Sequence, residues 1–130
     1  DASQDGSGNY SDFSVEYGNN NTVDTDVDGS SNRTRVSVDA SWGSMSSGNN
    51  LDIDKTGDSN YASGYVKGDN NDIDVTQSGN SNMVGSDWYT EDGFDVTGSS
   101  NSIDIDQMSN GNTSMNTVNG SNNTIDVTQN

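Results

Sequence analysis

The chain has 130 residues, 21 of them acidic and 4 basic, for a net charge of −17, and 25% are hydrophobic, a composition that usually leaves a polypeptide disordered. It lacks cysteine, which excludes a disulfide framework and a thiolate metal site, and histidine, the commonest general base and imidazole ligand. Arg33, Arg35, Lys55 and Lys67 are its cations, too few to hold a phosphate backbone, so no nucleic-acid partner is expected; an anionic membrane surface would repel it, and no apolar run is long enough to span a bilayer.

A start at Asp1, with no signal peptide, reads as a processed mature form, consistent with export. Order is written into a period. Ten asparagines head ten segments of two kinds: Asn21, Asn49, Asn71, Asn101 and Asn123 begin one kind, and Asn9, Asn32, Asn60, Asn82 and Asn112 the other. The shortest spacing within a set is 22 residues, as from Asn49 to Asn71, and a fixed period of that size signals a stacked repeat.

In chain order, the run QDGSGN from Gln4 is an arc leading to a second-type strand at Asn9, with Ser11, Phe13 and Val15 inward. Asn21 opens a first-type strand with Val23, Thr25 and Val27 inward, and Asn32 a second-type strand with Thr34, Val36 and Val38 inward. A loop near 39–48 carries Trp42. Strands then start at Asn49 (Leu51, Ile53, Lys55 inward), Asn60 (Ala62, Gly64, Val66), Asn71 (Ile73, Val75, Gln77) and Asn82 (Val84, Ser86, Trp88). A second loop is expected near 89–100, with Tyr89 and Phe94, like Trp42, as groove-packing rings, the alternative being exposed contacts between filaments. The last three strands start at Asn101 (Ile103, Ile105, Gln107), Asn112 (Ser114, Asn116, Val118) and Asn123 (Ile125, Val127, Gln129).

First-type strands alternate apolar and acidic residues, the period-2 mark of a strand with one buried face. Larger inward residues on one strand type face smaller ones on the other, which predicts a thin sandwich. The expected fold is all-β: one domain over 1–130, a β-solenoid of about five strand-arc-strand coils with two parallel in-register sheets, its rungs roughly 4.8 Å apart, forming a cross-β filament. Gly, Asn, Asp and Ser supply the turns. Proline is absent, so every backbone amide is available to a neighbouring rung.

The two asparagine columns, with Gln77, Gln107 and Gln129, are candidate amide ladders for self-assembly, each amide bonding to the next rung; several of the asparagines would also cap turns. Asp24, Asp52, Asp74, Asp104 and Asp126 form one outward column, and Asp26, Asp54 and Asp106 part of the next. Carboxylates 4.8 Å apart repel by roughly 0.9 kcal/mol even in water, so salt, low pH or divalent cations should promote stacking. No cofactor is required; Ca2+ or other cations on the aspartate ladders are the candidates. The run DTDVDG, with Asp24, Asp26 and Asp28, resembles the opening of a calcium loop, but Arg35 stands where a bidentate Glu should be, and the run reads more readily as a solvated acidic strand end than as an ion site. Paired carboxylates on exposed strands do not make the pocket an enzyme needs.

One spacing recurs: Ser or Asn, five residues, Gln, one residue, Gly, two residues, Asn, then five residues and a closing side chain. Asn71, Gln77, Gly79 and Asn82 fit it best, then Asn101, Gln107 and Asn112, and Gln4, Gly6 and Asn9 fit the arc. This resembles the repeat of curli fibre subunits. The resemblance implies a secreted functional amyloid at the bacterial cell surface, exported unfolded, templated onto a fibre end, and serving biofilm matrix and adhesion. Its partners would be further copies of itself, a curli-type nucleator and an outer-membrane secretion machinery. Val15, Val38, Val66, Trp88 and Val118 stand where such a repeat closes with Gln, and Val27 and Lys55 replace Gln in the first strand, so major subunit, nucleator and minor component stay open. The alternative is a monomeric calcium-binding solenoid adhesin with capped ends; an ice-binding solenoid would present outward Thr rather than Asp. In a fibre, NTIDVTQ of one subunit and NYSDFSV of the next would complete a shared coil.

Overall fold

The structure, a computed structural model, describes residues 1–40, 45–85 and 93–130. The chain winds as a coil that lays one rung per turn into each of two parallel sheets. The first sheet stacks β1 (Ser3–Asp5), β3 (Thr22–Asp28), β5 (Asn50–Thr56), β7 (Asp72–Ser78), β10 (Ser102–Gln107) and β13 (Thr124–Gln129) in that order. The second stacks β2 (Tyr10–Val15), β4 (Arg33–Val38) and β6 (Tyr61–Lys67), then a rung split between β8 (Met83–Val84) and β9 (Phe94–Thr97), then one split between β11 (Thr113–Ser114) and β12 (Asn116–Asn119). This is the in-register, all-β solenoid that the alternation predicts.

Register follows from burial. With side chains alternating between faces, a slip of one residue would turn every Val, Leu and Ile outward and every Asp inward. The inward columns therefore run Val23, Leu51, Ile73, Ile103, Ile125 and Thr25, Ile53, Val75, Ile105, Val127. Leu51, Ile53, Ile73, Val75, Ile103 and Ile105 meet Val36, Val38, Ala62, Val66, Val84, Phe94, Val96 and Val118 of the second sheet in one core cluster. Three residues expected in the core, Val23, Ile125 and Val127, pack against this cluster only partly buried, because they lie in the outer rungs of the stack.

Two expectations are corrected. The stack does not start at Asn9: β1 adds a rung before it, pairing Ser3, Gln4 and Asp5 with Asp26, Val27 and Asp28. The second loop does not occupy 89–100. Phe94–Thr97 is a strand that continues the rung begun at Met83–Val84, pairing Gly64 with Phe94 and Val66 with Val96. The columns assigned to Ser86 and Trp88 are thus held by Phe94 and Val96, and Phe94 is a fully buried core residue rather than a loop ring. Ser86, Trp88, Trp42 and Tyr89 lie outside the described residues.

The arcs turn on glycine. Gly57 has φ +112°, and a Cβ there would lie 2.2 Å from the carbonyl oxygen of Gly79 in the next rung. Both the backbone angle and the stacking exclude a side chain. Gly57→Ala is expected to lower stability by about 2–4 kcal/mol, measured as a fall in the urea midpoint.

Candidate functional site: the amide ladders and the acidic face

The asparagines that open the first-sheet strands form a continuous side-chain ladder. Each Nδ2 donates to the Oδ1 of the preceding asparagine: Asn49 to Asn21 at 3.0 Å, Asn71 to Asn49 at 3.0 Å, Asn101 to Asn71 at 2.9 Å and Asn123 to Asn101 at 3.0 Å. The same Oδ1 atoms accept the backbone N–H of the next asparagine, at 2.9–3.0 Å. The second proton of Nδ2 goes to an arc carbonyl, as from Asn49 to Gly68 and from Asn71 to Gly98, both at 2.9 Å. Each amide thus ties its rung to the asparagine of the rung before and to the arc that leads into the rung after. Asn49, Asn71 and Asn101 are almost fully buried, where an unbonded amide would be costly.

The second asparagine set is built differently. The backbone N–H groups of Asn32, Asn60, Asn82 and Asn112 donate to the Oδ1 of Asn9, Asn32, Asn60 and Asn82 at 2.8–3.1 Å. The Nδ2 groups of Asn9, Asn32 and Asn60 reach instead to the carbonyls of Gly29, Gly57 and Gly79, each at 2.8 Å. That column links rungs through side chain and backbone.

The glutamine column continues the pattern inside the core. Nε2 of Gln77 donates to Oε1 of Gln107 at 2.9 Å, and Nε2 of Gln107 to Oε1 of Gln129 at 2.8 Å. Their remaining protons cross to the second sheet one rung back, to the carbonyls of Tyr61, Met83 and Thr113. Lys55 occupies the next place in this column, beside Gln77, with 2% of its surface exposed. Its Nζ donates to the Arg33 carbonyl, the equivalent of the carbonyl each glutamine uses. Nζ does not also reach Gln77 as the next amide of the column would, and Oε1 of Gln77 is buried without a hydrogen-bond partner. Burial pushes the Lys55 ammonium well below its ordinary pKa.

Asp24, Asp52, Asp74, Asp104 and Asp126 line up in register on the outer face of the first sheet. Partial burial, then repulsion from Asp104 and other aspartates, raises the pKa of Asp74; Asp54 and Asp104 are raised the same way, burial first and neighbouring aspartates after. A carboxyl whose folded pKa lies above its unfolded value takes up protons on folding, so its stability contribution is complete below about 3.8 and is lost as pH rises through the folded value. Acidification from neutral pH should therefore raise the thermal midpoint, and Asp74→Asn should flatten that dependence, both readable by circular dichroism.

Asp24, Asp26 and Asp28 sit at alternate positions of the extended strand β3, side by side rather than wrapped as a loop. Among the described residues, no three acidic side chains converge as a metal-ligand group.

Gln4, which fits the repeat spacing but is not among the ladder amides expected from it, lies beside Val27 and donates to the Ser11 hydroxyl at 2.5 Å, extending the amide column into the first rung. One structural residue escapes the spacing. Ser46, fully buried, donates to the Asp39 carbonyl and accepts from the Gly68 N–H at 3.0 Å. It docks the end of the first inserted loop, and no periodic signal marks it.

Fold and ladders together define a class: a parallel, in-register β-solenoid whose rungs are stitched by side-chain amides. Residues 47–79, from the end of the first loop to the arc after β7, match the family model of the curlin associated repeat, which supports a curli-subunit-like family for the chain. No curated protein and no solved structure matches it.

Proposed function

We propose that the chain is a structural subunit of an extracellular, curli-like functional amyloid fibre, self-assembling by rung addition and serving biofilm matrix and adhesion at the bacterial cell surface. The observation that carries this reading is the unbroken Asn21–Asn123 ladder on in-register parallel strands. Such a ladder repeats by translation, so a rung from another copy adds by the same bonds as a rung from the same chain. A structural role fits a molecule whose buried amides bond along the stack rather than point into a pocket. A curli-type nucleator and an outer-membrane secretion machinery are the partners this reading implies, and cations on the aspartate face its candidate cofactors.

The test is fibre diffraction of the purified chain incubated in salt and calcium, with negative-stain images beside it. The expected result is filaments with an axial reflection near 4.8 Å. A folded monomer under all conditions, losing structure in chelator, would overturn this reading in favour of a calcium-stabilised solenoid adhesin.

A further inference from the structure

Among the described residues, the two outer rungs of the solenoid are covered on one side only, in complementary ways. At one end β2 presents Ser11, Phe13 and Val15 inward, but the opposing rung is the three-residue β1, exposed throughout. Phe13 is only partly buried and Val15 is 47% exposed. At the other end β13 presents Ile125, Val127 and Gln129 inward, and among the described residues no strand of the second sheet stands opposite. A cavity of about 280 Å³ opens there, lined by Thr117, Val118, Asn119, Asn123, Thr124 and Ile125.

We propose that elongation is a strand replacement: β13 of one copy takes the place of β1 in the next, and β2 of that copy fills the open half-rung beside β11 and β12. This rests on the fibre reading above and specifies its junction. Stacking β1 directly onto β13 would leave a missing rung in the second sheet. Stacking β2 onto β11 and β12 would bring β1 to the level that β13 already holds. Only one of the two strands fits that level, and β13 is the better occupant. β1 pairs with β3 over three residues, whereas β13 in the repeat register would cover Thr22 to Val27.

The side chains agree. Counted from the arc, the fourth coil sets Gln77 opposite Val84, Val75 opposite Phe94 and Ile73 opposite Val96, through the registers of β7 and β9. The shared coil would set Gln129 opposite Ser11, Val127 opposite Phe13 and Ile125 opposite Val15, again an amide on a small residue, Val on Phe and Ile on Val. Val15 would enter the cavity beside Val118 and Ile125. The polar ladder continues as well: backbone N–H groups of Tyr10, Arg33, Tyr61 and Met83 donate to the carbonyls of Asn32, Asn60, Asn82 and Asn112. Next in that series, Thr113 would meet Asn9 of the incoming copy.

The chain has no cysteine, so introduced pairs report the junction cleanly. In the shared coil Thr128 lies beside Asp26 of the next copy, about 4.8 Å away and within disulfide reach. Within one copy the same two positions are four rungs apart, about 19 Å. Stacking without replacement would instead put Thr128 beside Ser3. Fibres of Asp26→Cys/Thr128→Cys and of Ser3→Cys/Thr128→Cys, oxidised and dissolved in denaturant, are compared on a non-reducing gel. Covalent multimers from the first pair and monomer from the second are expected, and Asp24→Cys/Asp126→Cys reports the same junction should the first pair not assemble. Fibres that cross-link through Ser3, or through none of these pairs, overturn strand replacement alone. A wild-type chain that forms no fibre overturns the fibre reading and this junction together.

Discussion

Phe94→Ala is expected to cost about 3–5 kcal/mol, the range for removing a fully buried aromatic ring, and to be among the most damaging single substitutions in the chain. The ring has no exposed surface and lies in the column Val36, Gly64, Phe94, Asn116. Gly64 is what admits it: a Cβ at position 64 would fall 2.0 Å from Cε2 of the ring. Gly64→Ala should therefore destabilise by about 1–3 kcal/mol through overpacking. The two positions are coupled, and Gly64→Val combined with Phe94→Ala should lose less than the sum of the single losses, since the second substitution vacates the space the first fills. Urea denaturation of the four chains measures the coupling; strict additivity would show that the ring and the glycine do not share a site.

Lys55→Gln is expected to work in the opposite direction, stabilising the solenoid by about 1–3 kcal/mol at neutral pH, the usual cost of a buried acceptor left unbonded. The substitution places an amide beside Gln77, whose Oε1 has no hydrogen-bond partner, and keeps a donor for the Arg33 carbonyl that Nζ now serves. It also removes a pH dependence. Because burial lowers the folded pKa of Lys55 below its ordinary 10.5, the unfolded chain holds the proton more tightly. Wild-type stability should climb as pH rises through the folded pKa towards 10.5. The difference in melting temperature between wild type and Lys55→Gln, followed across that window, should shrink as pH rises. A constant difference would show that Lys55 is not buried as the neutral amine.

How much of this was legible in the sequence depends on the insertions. Wherever the period ran unbroken, as from Asn49 through Gln77, the alternation located strand, face and register together, because each column had a counterpart 22 residues on. The acidic columns and the amide columns were legible for the same reason. The fourth coil misled because its extra residues fall within a rung rather than in an arc: the rung begins at Met83 and Val84 and resumes at Phe94. Counting forward from Asn82 put Ser86 and Trp88 in the core. Counting backward would have found the true residues, since Val66, Val96 and Val118 each stand five residues before the next heading asparagine. β1 was missed because three exposed residues carry no apolar signal, and its only marker is Gln4 in the glutamine column. The two asparagine sets share one sequence pattern and both send Nδ2 to glycine carbonyls; only the first adds bonds between side chains, a difference the pattern does not mark.

The outer faces of the two sheets are chemically unlike. Arg33, over the Tyr10 ring at 4.8 Å, and Arg35, 4.0 Å from Asp12, both belong to β4 of the second sheet. The first sheet's outer face carries Asp24, Asp52, Asp74, Asp104 and Asp126 with Asp26, Asp54 and Asp106 beside them. With Asp28 and Asp72 on the same face, ten carboxylates over five rungs of 4.8 Å is one charge per about 2.4 Å of axis, approaching the about 1.7 Å of duplex DNA. A long stack of such rungs is a one-sided polyelectrolyte. Its acidic face would condense a sheath of counterions in proportion to its length, so each added rung draws ions out of solution and growth strengthens with the logarithm of salt concentration. Sideways contact between two such ribbons is then favoured through the faces that carry the arginines.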